Sequence, residues 1–477
     1  MTDLLSSTTT AAKRGPVPTM AAIAIGMSAV LVAGVGTAVA VGSAIGGGQQ
    51  PEDVLPASSI ALAKVDLAPS LGQRKAVYDI SKKFPTIDAH SPESIKDDLL
   101  EALFDQSGDL LDYDTDVKPW LGDRVGIAAV PNGKGSADPV AAIQYTDKEK
   151  ARKALAEAQK ESADDPFAFA FSGDYVIVAT TQKEADDYAK ADEHLSDRGA
   201  FNDAIDALDG DQLVLGWGDI KGVYDALPEE QRKNAKLDQD SSGSFVVGLH
   251  ADSDYLEVQG KAVDVGDSLK QYGSTSFGAQ PGNNLIATFP IQATAVMEVT
   301  GVGAALTEAY DTFADQEWFG QVNEGAAQFG LTLPQDLTTV FGNDLAVGVF
   351  GDLRQNPRVV AHIKTDDPDK AVSILKGVPS SEDTPPFAVE KDNDGGYFVG
   401  TDSGAIALAT NGTLGESAPF KRALPDADRA SFAVYVSIGR AAGLTDEAPD
   451  GLDKLEAFGM TASNEDGAFR MRLTFTD

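Results

Sequence analysis

The sequence contains no cysteine. That excludes disulfides, thiolate metal sites, cysteine nucleophiles and a lipidated cysteine at an N-terminal cleavage site, so any membrane anchor has to be a peptide helix. The absence fits an oxidising exterior without requiring one. Familiar catalytic signatures are missing as well. There is no G-x-S-x-G elbow, no P-loop of the form GxxxxGK[ST], and no HExxH among four widely spaced histidines. Positive charge is scarce: 38 basic residues stand against 74 acidic ones, a formal charge of -36 spread along the chain from Glu52 onward. Such a surface stays soluble and repels nucleic acid and anionic lipid surfaces.

One long stretch lacks charge of either sign, from Arg14 to Glu52, and its centre, Met20 to Ile45, is 26 residues of MAAIAIGMSAVLVAGVGTAVAVGSAI. At about 1.5 Å rise per residue this more than crosses a hydrocarbon layer of roughly 30 Å. Lys13 and Arg14 precede the run, and the first charges after it are Glu52 and Asp53. The basic flank stays on the cytoplasmic side, which puts the rest of the chain outside. The expected layout is a cytoplasmic tail over 1–16, a transmembrane helix over 17–45 and a flexible linker over 46–54. Ala38-Val39-Ala40 has the small-residue pattern of a cleaved secretory signal, but the apolar run continues past it, which favours an uncleaved anchor.

Beyond residue 54 the chain reads as a globular body, since 42% hydrophobic and 23% charged residues over a chain of 477 suffice for more than one core. It repeats itself. WLGDRVGIAAV from Trp120 and PVAAIQYTDKEKARKAL from Pro139 match VFGNDLAVGVF from Val340 and PRVVAHIKTDDPDKAVSIL from Pro357 in pattern and order. The repeats are placed at 55–268 and 284–477, with 269–283 as a linker in a stretch rich in Gly, Ser and Gln. Gly126 to Val130, Val140 to Tyr145 and Tyr175 to Thr180 read as strands, and Asp147 to Lys160 as a capped helix. Short turns at Ser172 and Asp252 favour antiparallel hairpins. The expected class is α+β: two tandem homologous domains, each an antiparallel sheet with helices on one face.

Candidate chemistry is thin. Asp112, Asp114 and Asp116 alternate as calcium ligands do, but Val117 stands where the loop needs glycine and Asp123 where it needs glutamate. Asp238, Asp240 and Ser242 precede the needed Gly243, yet the twelfth position is Leu249. Both read as solvated turn acids. His90, His194, His250 and His362 share no zinc spacing. Ser373 and Lys376 form an S-x-x-K without its partner motifs, at the basic end of a predicted helix. Trp120, Trp217 and Trp318 read as core or interface anchors rather than a pocket wall.

The stretch GGGQQPEDVLPASSIALAKVDLAPSLGQRKAVYDISKKFP, Gly46 to Pro85, resembles the opening of an actinobacterial family of membrane-anchored exported proteins known only as a domain of unknown function. The resemblance implies an envelope protein with one N-terminal span and brings no catalytic residue. Asp66, Pro69, Gly72 and Gln73 match its motif and look like a strand exit turning into a helix, with Pro69 near the helix start. The expected role is non-catalytic binding of an envelope protein, lipid or polymer, with no catalytic residue, metal or cofactor assigned and no nucleic acid as partner. Two alternatives stand beside it. One is a cell-wall glycan hydrolase working through paired carboxylates; the other is a carrier whose curved sheet and covering helices enclose an apolar chain.

Overall fold

The structure, a computed structural model, describes residues 48–476 apart from 68–69, 85–90, 92–95, 98–99, 101–112, 162–165, 235–241, 266–280, 315, 317–318, 329, 379–385, 444–450 and 464–466. The apolar run Met20–Ile45 and the 269–280 part of the expected linker lie outside the described residues. Among the described residues no helix is long and apolar enough to cross a membrane.

The first half supplies β1 (Ala61–Asp66), β2 (Leu121–Pro131), β3 (Ala137–Tyr145), β4 (Ala168–Ser172), β5 (Tyr175–Ala179), β6 (Val214–Asp219), β7 (Ser244–Ala251) and β8 (Tyr255–Val263). The second supplies β9 (Ala295–Val299), β10 (Asp344–Asp352), β11 (Asn356–Lys364), β12 (Ala388–Lys391), β13 (Gly396–Gly400), β14 (Phe432–Ser437), β15 (Leu455–Ser463) and β16 (Ala468–Phe475). Their sequences are rich in β-branched and aromatic residues at every second place, the pattern of a pleated sheet. Gly173, at φ 53°, makes the tight turn between β4 and β5. The helix Lys148–Glu161 starts where Asp147 accepts the Lys150 amide at 3.1 Å, as its acidic cap predicts.

All sixteen described strands form one sheet, in the order β12-β13-β11-β10-β9-β14-β15-β16-β8-β7-β6-β1-β2-β3-β5-β4. Every pairing is antiparallel. The order reads the same from either end once each half is numbered from its own first strand. The halves do not carry separate sheets, contrary to the sequence expectation, because β8 pairs with β16 from Lys261↔Ala468 to Tyr255↔Thr474. Buried Glu257 reinforces this join by meeting Arg472 Nε and, at 3.4 Å, Arg470 Nη1. Arg470 also reaches Asp209 of the first half and Asp426 of the second.

Two further expectations are corrected. Helices and turns cover parts of both faces rather than one. Val176 and Val178 of β5 pack toward the helices Leu71–Ser81 and Lys148–Glu161, while neighbouring Tyr175 and Ile177 pack toward Leu55, Leu195 and Phe201. The expected flexible linker is a fitted part of the fold from Gly48 on: Val54 is buried, and Glu52 is buried in an ion pair with Lys64 of β1.

Candidate functional site

Side chains paired directly across an antiparallel sheet point to the same side. Following the register therefore sorts the residues of all sixteen strands onto two faces. One cross-strand row runs Val347, Met297, Val434, Met460, Met471, Val258 through β10, β9, β14, β15, β16 and β8. It continues through Leu249, Val214, Val65, Val125, Ile143 and Val176 to Phe171 of β4. In the other direction it continues through Ala361 and Val399 to Val389 of β12. A single apolar ladder thus crosses the entire sheet.

The rows beside it are apolar as well, with Phe458, Leu473 and Leu256 on one side and Phe432, Ala462 and Phe469 on the other. From β7 to β11, eight adjacent strands, every paired position on this face is apolar. At about 4.8 Å per strand they span roughly 34 Å. The ends of this face are covered. Ile143 and Val176 lie under the helices Leu71–Ser81 and Lys148–Glu161, and Ile363 packs against Ala371 and Val372 of the helix Pro368–Lys376. The middle is open: Val434, Met460, Met471 and Val258 are half-buried, while Met297 and Val359 keep 41% and 40% of their surface exposed. Ordinary soluble domains cover an apolar area of this extent or use it for binding.

The opposite face is polar at the centre, where Glu257, Gln259, Arg470 and Arg472 share it. In the second half this face leads to a cleft of about 930 Å³ at the strand ends, whose lining includes Asp344, His362, Lys364, Asp392 and Asp394. His362, 4% exposed, places Nε2 at 3.0 Å from Asp392 Oδ2 and stacks on Phe398 with ring centres 4.0 Å apart. Lys364 Nζ donates to the same carboxylate at 2.5 Å and to Asp394 O at 3.0 Å. Burial pushes the Asp392 carboxyl up, but the hydrogen bonds from Lys364 and His362 outweigh it and hold it at about 2. Burial pushes the His362 imidazole down, while the hydrogen bond and charge of Asp392 pull it back up.

Thr288 Oγ1 lies 3.4 Å from His362 Nδ1, yet its hydroxyl donates to Leu285 O at 2.7 Å. The proton a nucleophile would surrender to the imidazole points elsewhere. Two buried carboxylates stand on neighbouring strands, Glu298 on β9 and Asp344 on β10. Burial raises both, and the Asp344 charge raises Glu298 further. Hydrogen bonds oppose the rise: Glu298 Oε2 accepts the Ile286 amide at 2.8 Å, and Asp344 accepts from Asn283 and Asn343. These contacts suit acids that organise the turn at Leu285–Thr288.

In the first half, the segment before β1 packs against the same face of the sheet. Pro51 packs on Gly126 of β2, where an added Cβ would come within 2.5 Å, and Tyr175 of β5 donates to Gln49 O at 2.8 Å.

The family-motif residues occupy one corner of the first half. Asp66 is buried at the end of β1 and accepts from Arg124 Nε at 3.2 Å. Gln73 is buried in the helix Leu71–Ser81 and donates to Asp211 O at 2.9 Å, while Gly72 sits exposed on that helix. Pro69 lies outside the described residues; Ser70 is the helix cap. These contacts tie the first helix to the loop before β6. Asp114 pairs with Lys118 at 3.0 Å, and Asp112, Asp238, Asp240, His90 and Trp318 lie outside the described residues. Among the described residues no group of three or more acidic or histidine side chains is arranged to hold a metal ion. His250 meets Asp211 O at 2.8 Å, and His194 stands at a bridge to Pro56. Ser373 and Lys376 are exposed on the helix Pro368–Lys376. Trp120 and Trp217 are core residues.

A family model described as Protein of unknown function (DUF3352) matches residues 92–166. That stretch holds β2, β3 and the helix Lys148–Glu161, all on the covered end of the apolar face. It fits the expectation of a domain of unknown function and lies downstream of the Gly46–Pro85 wording. No curated protein and no solved structure matches the chain.

Sequence reasoning missed both the open face and the His362 cluster. Alternation in AVMEV, FAVYVS and AFRMRLTF is visible in the chain, but only pairing register brings their apolar sides together. His362 and Lys364 alternate within β11, whereas Asp392 joins them from the β12–β13 turn.

Proposed function

We propose that this chain is a membrane-anchored extracytoplasmic protein that binds an apolar partner on the open face of its sheet, without catalysis. The observation that carries this reading is the apolar ladder crossing all sixteen described strands, uncovered at its middle. Leaving such a face to water costs about 25 cal/mol for each Å², a cost that a bound partner removes. Non-catalytic action is favoured by the polar cleft, where the Thr288 hydroxyl hydrogen is committed to Leu285 and Asp392 is engaged by Lys364 and His362.

The anchor rests on the charge-free run Met20–Ile45 and on Lys13 and Arg14 before it. The wording of Gly46–Pro85 supports a place among actinobacterial exported proteins of the cell envelope. An internal duplication accounts for the same strand order on both sides of the β8–β16 join.

Protease shaving tests the topology. Intact cells treated with protease should lose the C-terminal body; a body protected until the cells are permeabilised would contradict the reading. Binding is tested with the full chain and an environment-sensitive apolar dye, whose fluorescence should rise on the wild type and fall by at least tenfold when Met297 and Val359 are both replaced by arginine.

A further inference from the structure

Resting on that reading, we propose that the open face holds the acyl chains of individual lipid molecules drawn from the membrane to which the body is tethered. A protein partner of ordinary kind brings polar groups, about one hydrogen bond per 100–200 Å² of interface, and this face has nothing to pair with them. Its side chains are apolar at every paired position from β7 to β11, and the sheet's own ladder engages the backbone there. An acyl chain asks for no hydrogen bond along its length.

Shape and adaptability agree. A leaflet's share of a hydrocarbon layer is roughly 15 Å deep, half of about 30 Å, so an apolar face eight strands and roughly 34 Å wide is long enough for chains lying across the strands. Met297, Met460 and Met471 stand near its middle, on adjoining or nearby strands. Methionine is unbranched and polarizable, and it packs against ligands of variable shape.

The source of the ligand is set by the chain. The apolar run ends at Ile45 and the fitted body begins by Gly48, a separation of about 10 Å at most when extended. The body is therefore held beside the layer that stores such lipids. Its charge of -36 opposes flat docking on an anionic surface, which favours lipids taken singly over a bilayer pressed on the face.

The test uses the full chain reconstituted in phosphatidylcholine vesicles that contain a trace of phosphatidylcholine with a diazirine near the end of one acyl chain. After light, peptides from the N-terminal run act as the internal positive control. Body peptides bearing Met297, Met460 or Met471 should be labelled, and labelling should persist when the vesicles are dissolved and the chain repurified before irradiation. Met297→Arg with Val359→Arg, both at well-exposed positions, should cut body labelling at least tenfold while N-terminal labelling and the melting temperature stay unchanged. Met297→Leu should leave labelling intact.

Absence of body labelling in a folded chain overturns the proposal, and so does labelling that the arginine variants do not reduce. Labelling seen only with intact vesicles means surface docking and also overturns it. If the apolar dye binds the wild type and not the arginine variant while lipid fails to label, the lipid assignment falls and the open-face reading stands. If neither binds, both fall.

Discussion

Met297 of β9 faces Val434 of β14 directly across the sheet, and Met297 remains 41% exposed although every residue of its cross-strand row is apolar. Further along the same row, Ile143 and Val176 are fully covered by helices. One ladder therefore has a core section and an open section, and the two should respond to substitution in opposite ways.

Ile143→Ala should cost about 2–5 kcal/mol, since it empties space under the helix Lys148–Glu161. Met297→Arg should change stability by no more than about 0.5 kcal/mol, as surface substitutions do. Urea denaturation of the two variants checks this. Equal losses would mean that the open section is packed in solution.

The β8–β16 join makes the halves interdependent. Glu257 is buried between Arg470 and Arg472. Glu257→Gln removes the counter-charge of Arg472, while Arg470 keeps Asp209 and Asp426, and breaking a buried ion pair this way costs about 3–5 kcal/mol. The urea midpoint should fall accordingly. A negligible shift would show that the seam is solvated.

Asp392 gives the acid limb of stability a specific component. Its carboxyl is held at about 2 in the fold against roughly 3.9 in an unfolded chain. The ionised form thus stabilises the folded state fully above about pH 4, and this contribution is lost as pH falls toward 2. Asp392→Asn should lower the melting temperature near neutral pH, and the difference from wild type should shrink between about pH 4 and 2. A difference independent of pH would contradict the ion-pair account.

Glu298 carries the opposite sign. Burial raises its carboxyl above the unfolded value, the backbone amides of residues 284–286 resist that rise, and the nearby Asp344 charge adds to it. Ionised Glu298 therefore costs stability at pH above its folded value, and the cost disappears below about pH 4, near the unfolded value. Glu298→Gln keeps an oxygen for the Ile286 amide and removes the charge. It should raise the melting temperature at neutral pH and have little effect near pH 4. A variant that destabilises equally at both pH values would sink this assignment.

The range of each interaction decides how much of the fold is legible in the sequence. The strands around Gly126, Val140 and Tyr175 and the helix after Asp147 depend on neighbours within a few residues, and the chain displays them. The α+β class comes with those elements. The continuous sheet does not, because the β8–β16 pairing joins segments far apart in sequence and depends on which edges meet. The fitted segment after Gly48 reads as a linker because its glycines and glutamines are loop-like in isolation, yet Gly126 leaves room for Pro51 and Lys64 meets Glu52. His362 reads as solitary because its partners Asp392 and Thr288 come from a turn and a preceding loop.

The most direct measurement is an electron-density map of the full chain purified from membranes preloaded with phospholipid brominated on its acyl chains. The account predicts anomalous peaks lying over Met297, Val434 and Met460. Peaks confined to the N-terminal apolar run, with the sheet face bare or covered by protein, would contradict it.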